Sequence, residues 1–284
     1  MYYWFSKLTK KWNKMMQFLH GQEEMKPELL KAPEVVEFID ATTAVLNDAV
    51  DEGIRIVPPT DLEVKRLQES NFVFSGYKTF HELNEVFPTL LNEDGTRKPF
   101  KQFLNDVQKV HETYNKNYLR AEYEFATSSS LSAAQWEMFK ANSERYYLQY
   151  STAGDERVRR SHRMLNGITL PMESKFWDWY YPPNGWGCRC TVIQRRKTKF
   201  KPTDENDAMN KGSQATAGKH QEMFRFNPGK EMATFPAYNP YSVKACIGCE
   251  YKRTANPKNE QCAACKVIIE LRDKKRKEAE NDSK

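Results

Sequence analysis

Residues 146–194 constrain this chain more than any other stretch, reading YYLQYSTAGDERVRRSHRMLNGITLPMESKFWDWYYPPNGWGCRCTVIQ, dense in Trp, Tyr, Pro, Gly and Arg. A long helix cannot run through such a sequence, because proline lacks a backbone donor and clashes with the preceding turn, while glycine favours turns. The alternating short runs predict strands joined by pinned loops. Pro182 and Pro183 restrict the backbone, Gly185 and Gly187 permit unusual dihedrals, and Trp177, Trp179 and Trp186 supply large apolar area. Together they specify a rigid loop stapled to a core.

The flanking sequence reads differently. A chain of 284 residues exceeds the usual single domain, so two or three units are expected. A hydrophobic fraction of 39% with 13% aromatics argues against a disordered chain. Lys and Arg outnumber Asp and Glu by 44 to 38, an excess too small and too scattered to mark a nucleic-acid-binding surface. No segment approaches the roughly 18 apolar residues of a membrane span, so a soluble chain without membrane contact is expected. In the first twenty residues Phe5, Leu8, Trp12, Met15, Met16 and Leu19 share one helical face between Lys7, Lys10, Lys11 and Lys14. There is no uninterrupted apolar run and no small-residue cleavage site, which excludes a secretory signal. This amphipathic helix is expected to dock on its own domain or a partner in preference to a membrane surface.

Further along, the pattern from Pro27 to Glu52 is helical, interrupted near Ala32-Pro33 and stopped at Gly53. Asp61 caps a short helix through Leu67, and Asn71 to Ser75, ending at Gly76, reads as a strand or extended turn. Phe100, Phe103, Leu104, Val107, Val110, Tyr114 and Tyr118 recur at helical spacing, and the helix continues through Ala121 and Phe125. A second helix is expected from Ala133 to Phe139, after a break at Ser128-Ser129-Ser130. Residues 201–222 are polar and poor in apolar anchors, as in a linker or mobile loop. The expected fold class is α+β, with a helical N-terminal half, a small mixed α/β core and a C-terminal four-cysteine module. Its segments are 1–24 (amphipathic helix), 25–145 (helical), 146–200 (aromatic core), 201–240 (linker and extended segment) and 241–284 (cysteine module and charged tail).

Two groups of residues suggest metal chemistry. Cys246-x2-Cys249 and Cys262-x2-Cys265, twelve residues apart, can present four thiolates tetrahedrally. A structural Zn2+ is expected there, since closing the loop by metal compensates for a module too small to hold its own apolar core. The tail beyond it, from Lys266 through Val267-Ile268-Ile269 and Leu271 into alternating charges, predicts a helix fraying into solvent. Cys188 and Cys190 are too close in sequence for an unstrained disulfide, which leaves reduced thiols or metal ligation. His162, among Arg159, Arg160 and Arg163, suits a buried hydrogen-bonding role or a third metal ligand with that pair, with a purely structural pair as the plainer reading. Asp155 lies within reach of Arg157 or Arg159 in any turn, so a local charge-assisted bond is expected in place of a catalytic carboxylate.

The ordered set Thr152, Gly154, Asp155, Arg157, Val158, Arg159, His162, Leu165, Gly167, Phe176-Trp177, Pro182-Pro183-Asn184-Gly185-Trp186 and Cys188-Arg189-Cys190 resembles the core motif of the phage Mu F-like head morphogenesis family. Asn71 to Gly76 with Thr79-Phe80, and Phe224 to Lys230, resemble further segments of such proteins. The resemblance implies a minor capsid protein of a tailed phage or prophage, without enzymatic activity. It would act in head assembly and DNA packaging near the portal, found in the virion head and in the host cytoplasm during assembly. Implied partners are the portal protein, the major capsid protein or scaffold, and weakly the packaged DNA. Two other classes stay open. One is an embedded nuclease or group transferase using Asp155, Arg157 and His162. The other is a zinc-dependent nucleic-acid-binding module in which Tyr251, Lys252 and Arg253 flank the cysteines.

Overall fold

The structure is a computed structural model that describes residues 3–55, 59–242 and 260–282. The chain forms two units, one from residues 1–47, 69–120 and 237–284 and the other from residues 48–68 and 121–236. Among the described residues no helix is long and apolar enough to cross a membrane.

The first unit is helical. Helix α1 (Tyr3–His20) buries Trp4, Leu8, Trp12, Met15, Met16 and Leu19, nearly the face its periodicity predicts, with Phe5 half-buried at its edge. That face is consumed by the chain's own core. On the opposite side Lys11 and Lys14 reach Glu37 of α2 (Pro33–Gly53) at 2.6 and 2.7 Å. His111, in the short helix α5 (Gln108–Glu112) that follows α4 (Phe100–Asp106), is buried and stacks on both Phe5 and Trp12 at 4.9 Å. The Thr9 hydroxyl donates to the Phe5 carbonyl at 2.8 Å, so at 3.0 Å it accepts from His111 Nε2–H. Nδ1 then accepts from the Asn115 amide at 3.2 Å. These contacts select one neutral tautomer. The expected continuous helix over residues 100–118 is present in pieces, its last turn widened into a π-helix at Thr113–Tyr118.

Helix α3 (Asp61–Val86) corrects the strand expected at residues 71–75. Within it, residues 71–80 are buried with the single exception of Val73, so the helix shows no one-sided apolar stripe from which its period could be read. Two of its polar members are bonded: Asn71 donates to Asn47 at 2.9 Å, and Lys78 to the Tyr114 carbonyl at 2.8 Å. Gly76 admits the C-terminal helix, since a Cβ there would lie 2.9 Å from Ile268 Cγ2.

Helix α6 (Leu119–Lys140) continues from the π-helical turn and runs unbroken through the three serines where a break was expected. Ser128 and Ser130 hydroxyls bond back to the carbonyls of Glu124 (3.0 Å) and Ala126 (2.7 Å), an alternative to leaving the helix. Small side chains here also let the end of α2 approach, because any side chain at Gly53 would collide with the Thr127 carbonyl and Ser130.

The second unit centres on a three-stranded antiparallel sheet of order β2-β1-β3, formed by β1 (Tyr146–Ser151), β2 (Thr169–Leu170) and β3 (Thr191–Arg196). Leu148 pairs with Leu170 on one side and Gln194 on the other. Between the strands lie α7 (Arg160–Arg163) and α8 (Phe176–Tyr180). Trp136, Phe139, Leu148, Tyr150, Leu165, Leu170, Phe176, Trp177 and Val192 share one core. The stretch expected as a linker holds α9 (Glu205–Ala215), capped by Asp204 accepting from Asp207 N at 2.9 Å. Its apolar anchors are small: Ala208 and Ala215 are buried, and Gly212 lies flat against the Tyr180 ring, where a methyl would overlap ring carbons. Composition disguises this helix because close approach, not bulk, packs it. Helix α10 (Pro228–Glu231) follows.

The C-terminal helix α11 (Glu260–Asp282) buries Ala264, Val267 and Ile268 in the first unit. The helix is tied down further than expected, with Glu270 paired to Lys31 and Lys275 to Asp40, each at 2.8 Å, and Arg276 holding Glu69, while residues 277–281 are exposed as expected. Of the four-cysteine module, Cys246 and Cys249 lie outside the described residues. Cys262 and Cys265 are one turn apart on α11, and Cys265 Sγ accepts from the Tyr77 hydroxyl at 2.6 Å.

Candidate functional site

The motif residues gather around the turn before α7 and the loop leading into β3. Asp155 binds Arg189, 34 residues away, through two parallel bonds of 2.6 and 2.7 Å. The nearby arginines expected as its partners do otherwise: Arg157 offers only its backbone N–H, at 3.1 Å, and the Arg159 guanidinium donates to the Trp186 carbonyl. A planar fork matched to a carboxylate explains why the distant arginine takes the site. The Arg189 guanidinium beside Asp155 holds its carboxyl below the usual carboxylate range. Arg163 closes the turn from behind, donating to the carbonyls of Val158 at 3.1 Å and Glu156 at 3.0 Å.

The loop from Tyr180 to Gly187 is as pinned as its composition suggests. The Pro182–Pro183 peptide is cis, and Gly187 has a φ of 63°, the left-handed region that disfavours any side chain. Pro183, Asn184 and Gly185 are buried. Asn184 receives the buried Tyr150 hydroxyl at 2.8 Å and donates to the Tyr181 carbonyl at 3.3 Å. Trp177 is fully buried, its indole donating to the Pro171 carbonyl at 3.0 Å. Trp186 packs edge-on against Phe125 and Phe224, with centroids 5.0 and 5.4 Å apart. Trp179, expected to add to this core, is 49% exposed, since it falls on the outer side of the single-turn helix α8.

His162, Cys188 and Cys190 come together as the sequence allowed. His162 Nδ1 lies 3.6 Å from each sulfur. All three ligand atoms fall within 4.8 Å of one another. His162 and Cys188 are buried, while Cys190 is half-buried. The hydrogen bond with Cys190, then His162, holds the Cys188 thiol well below its ordinary range. The same sulfur partnership and burial push Cys190 up. The pair thus gives up its first proton readily and its second reluctantly. Burial, and then the two sulfurs, push the Tyr150 hydroxyl up as well. This is a soft donor set able to hold a thiophilic metal ion. The charged constellation considered for catalysis is not assembled as such: Asp155 is committed to Arg189, and His162 faces the thiols.

Three residues take bonding roles that their place in the sequence did not reveal: Arg163, Asn184 and Asn227. Asn227 donates to the Trp177 carbonyl at 2.9 Å and caps α10, accepting from the amides of Gly229 (2.9 Å) and Lys230 (3.1 Å). An Asn directly before a Pro at a helix start was the signal available. Nothing comparable marks Arg163, one arginine among several.

Residues 95–193 match the family described as Phage Mu protein F like protein. The match takes in Asp155 through Cys190 and leaves out Asn71–Phe80 and Phe224–Lys230. Among curated proteins, one from Escherichia phage Mu, named for capsid assembly (protein F), is 31% identical over 96 residues, 32% of this chain and 22% of that protein. The Mu-like prophage FluMu F protein of Haemophilus influenzae is 37% identical over 68 residues, 22% of this chain and 16% of that protein. An uncharacterized protein of Methanocaldococcus jannaschii is 26% identical over 193 residues, 65% of this chain and 28% of its own length. The aligned part of the chain thus spans less than a third of each of these relatives. No solved structure is significantly similar to the chain. Residues 95–193, which hold the motif core, are therefore the part of the chain that is similar to the Mu F-like family.

Proposed function

We propose that this chain is a minor capsid protein of a tailed phage or prophage that acts in head morphogenesis close to the portal vertex. The observation that carries this reading is the family match across residues 95–193, reinforced by relatives whose names refer to capsid assembly or to a Mu-like prophage. The use the fold makes of the motif supports it. Asp155, Arg159, Arg189, Trp177 and Asn184 all bond within the unit, which is what a rigid docking element requires. Its partners in this reading are the portal protein and the capsid shell or scaffold, with weak contact to packaged DNA. The cysteines at 246, 249, 262 and 265 bind a structural Zn2+ in the same reading.

Mass spectrometry of purified particles tests the proposal. The chain is expected in heads at a few copies per particle, and its deletion is expected to leave few filled heads. Particles that lack the protein, together with normal head yield after deletion, would refute it. So would substrate turnover by the pure protein that disappears in His162→Ala.

A further inference from the structure

We propose that His162, Cys188 and Cys190 bind a thiophilic divalent ion, of which Zn2+ is the best fit, through His162 Nδ1 and the two Sγ atoms. The ion's role is to clip α7 to the loop that enters β3. The argument is geometric. In a tetrahedral zinc site with Zn–S of about 2.3 Å and Zn–N of about 2.05 Å, a nitrogen and a sulfur ligand stand about 3.6 Å apart. Both Nδ1–Sγ separations here are 3.6 Å. A single two-centre hydrogen bond would favour one sulfur, whereas the two stand equally close to the ring nitrogen, as around a shared ion.

The chemistry agrees with the geometry. Two sulfurs and one imidazole form the donor set that favours zinc over hard cations such as magnesium or calcium. Among the described residues no fourth His, Cys, Asp or Glu joins the group. The remaining coordination position therefore goes to solvent on the half-buried Cys190 side. His162 and Cys188 are 26 residues apart, and the chain between them carries β2, α8 and the Pro182-Pro183 loop. Metal closure would restrain that whole excursion, independently of any role in the head.

The test uses the full chain, reduced and freed of metal, then loaded with Zn2+ or with Co2+ as a spectroscopic substitute. The cysteines at 246, 249, 262 and 265 contribute equally to every variant, so the reading is a difference. Cys188→Ser with Cys190→Ser is expected to carry one ion fewer per chain than the parent. It should also lose part of the cobalt–thiolate absorption in the near ultraviolet. His162→Ala should behave likewise, whereas His162→Cys, which restores a soft ligand, should keep the ion, separating metal binding from a general failure to fold. Equal metal content in the parent and the double serine variant would overturn the proposal, as would identical behaviour of His162→Ala and His162→Cys. A Cys188–Cys190 disulfide in the purified protein, with no gain of metal on reduction, would overturn it as well.

Discussion

Acidification should weaken the first unit through one ring, His111. Burial, and secondarily the charge of Lys78, lowers its pKa from 6.5 to about 4. The hydrogen bonds act in the same direction: Nδ1, the atom that would take the proton, already accepts from the Asn115 amide, so protonation sets two donors face to face. In the unfolded chain the ring protonates near its ordinary value. Between pH 6.5 and 4 the unfolded state therefore binds more protons than the folded one, and stability rises with pH. The ring imposes no penalty above about pH 6.5, and the penalty grows as pH falls towards 4. A difference of about 2.5 pKa units at about 1.4 kcal/mol each gives a loss of about 3 kcal/mol across that window, an upper figure. His81, also lowered by burial, adds slope of the same sign, so a variant is needed to isolate His111. His111→Gln keeps one donor and one acceptor and does not titrate. Urea unfolding midpoints from pH 7.5 to 4.5 should fall less steeply in this variant, by about one proton's worth of slope. NMR titration of the imidazole signals should find one native ring that stays neutral at pH 5. Parallel pH profiles for the two proteins, or a native His111 titrating near 6.5, would refute the reasoning.

Two tryptophans two residues apart should respond in opposite ways. Trp177→Ala should cost about 3–5 kcal/mol in denaturant unfolding, because it empties a fully buried site and strands the Pro171 carbonyl. Trp179→Ala, on the exposed side of α8, should stay within about 0.5 kcal/mol of the parent. Gly212→Ala, often neutral or stabilising in a helix, should here destabilise by about 1–3 kcal/mol, since the added methyl meets the Tyr180 ring. An unchanged melting temperature for Gly212→Ala would show that α9 does not pack as described.

Much of this structure was legible in the residues because its causes are local. The α1 face follows from a 3.6-residue period, and the pinned loop follows from proline, glycine and tryptophan in succession. The meeting of His162 with the two cysteines was legible as chemistry and not as geometry, since three soft ligands suggest a site before any fold is known. What stayed hidden depends on neighbours distant in sequence. Residues 71–75 are helical, although a helix enclosed on nearly every side has no amphipathic signature. At Ser128 and Ser130 of α6 the hydroxyls bond back to the preceding turn, which keeps them within the helix. Helix α9 packs through alanine and glycine, which a hydropathy reading discounts. Asp155 passes over two nearby arginines for one 34 residues away, a choice set by the turn's three-dimensional course.

The tripeptide Cys188-Arg189-Cys190 grips in two directions at once. Its sulfurs face the imidazole of α7, and the guanidinium between them faces outward to Asp155. Side chains alternate along an extended chain, so a slip of β3 by a single residue would turn the arginine inward and swing both sulfurs into water. Three consecutive residues thereby act as a key at the entrance to β3, set against a one-residue slip that would put a charge where the cysteines belong.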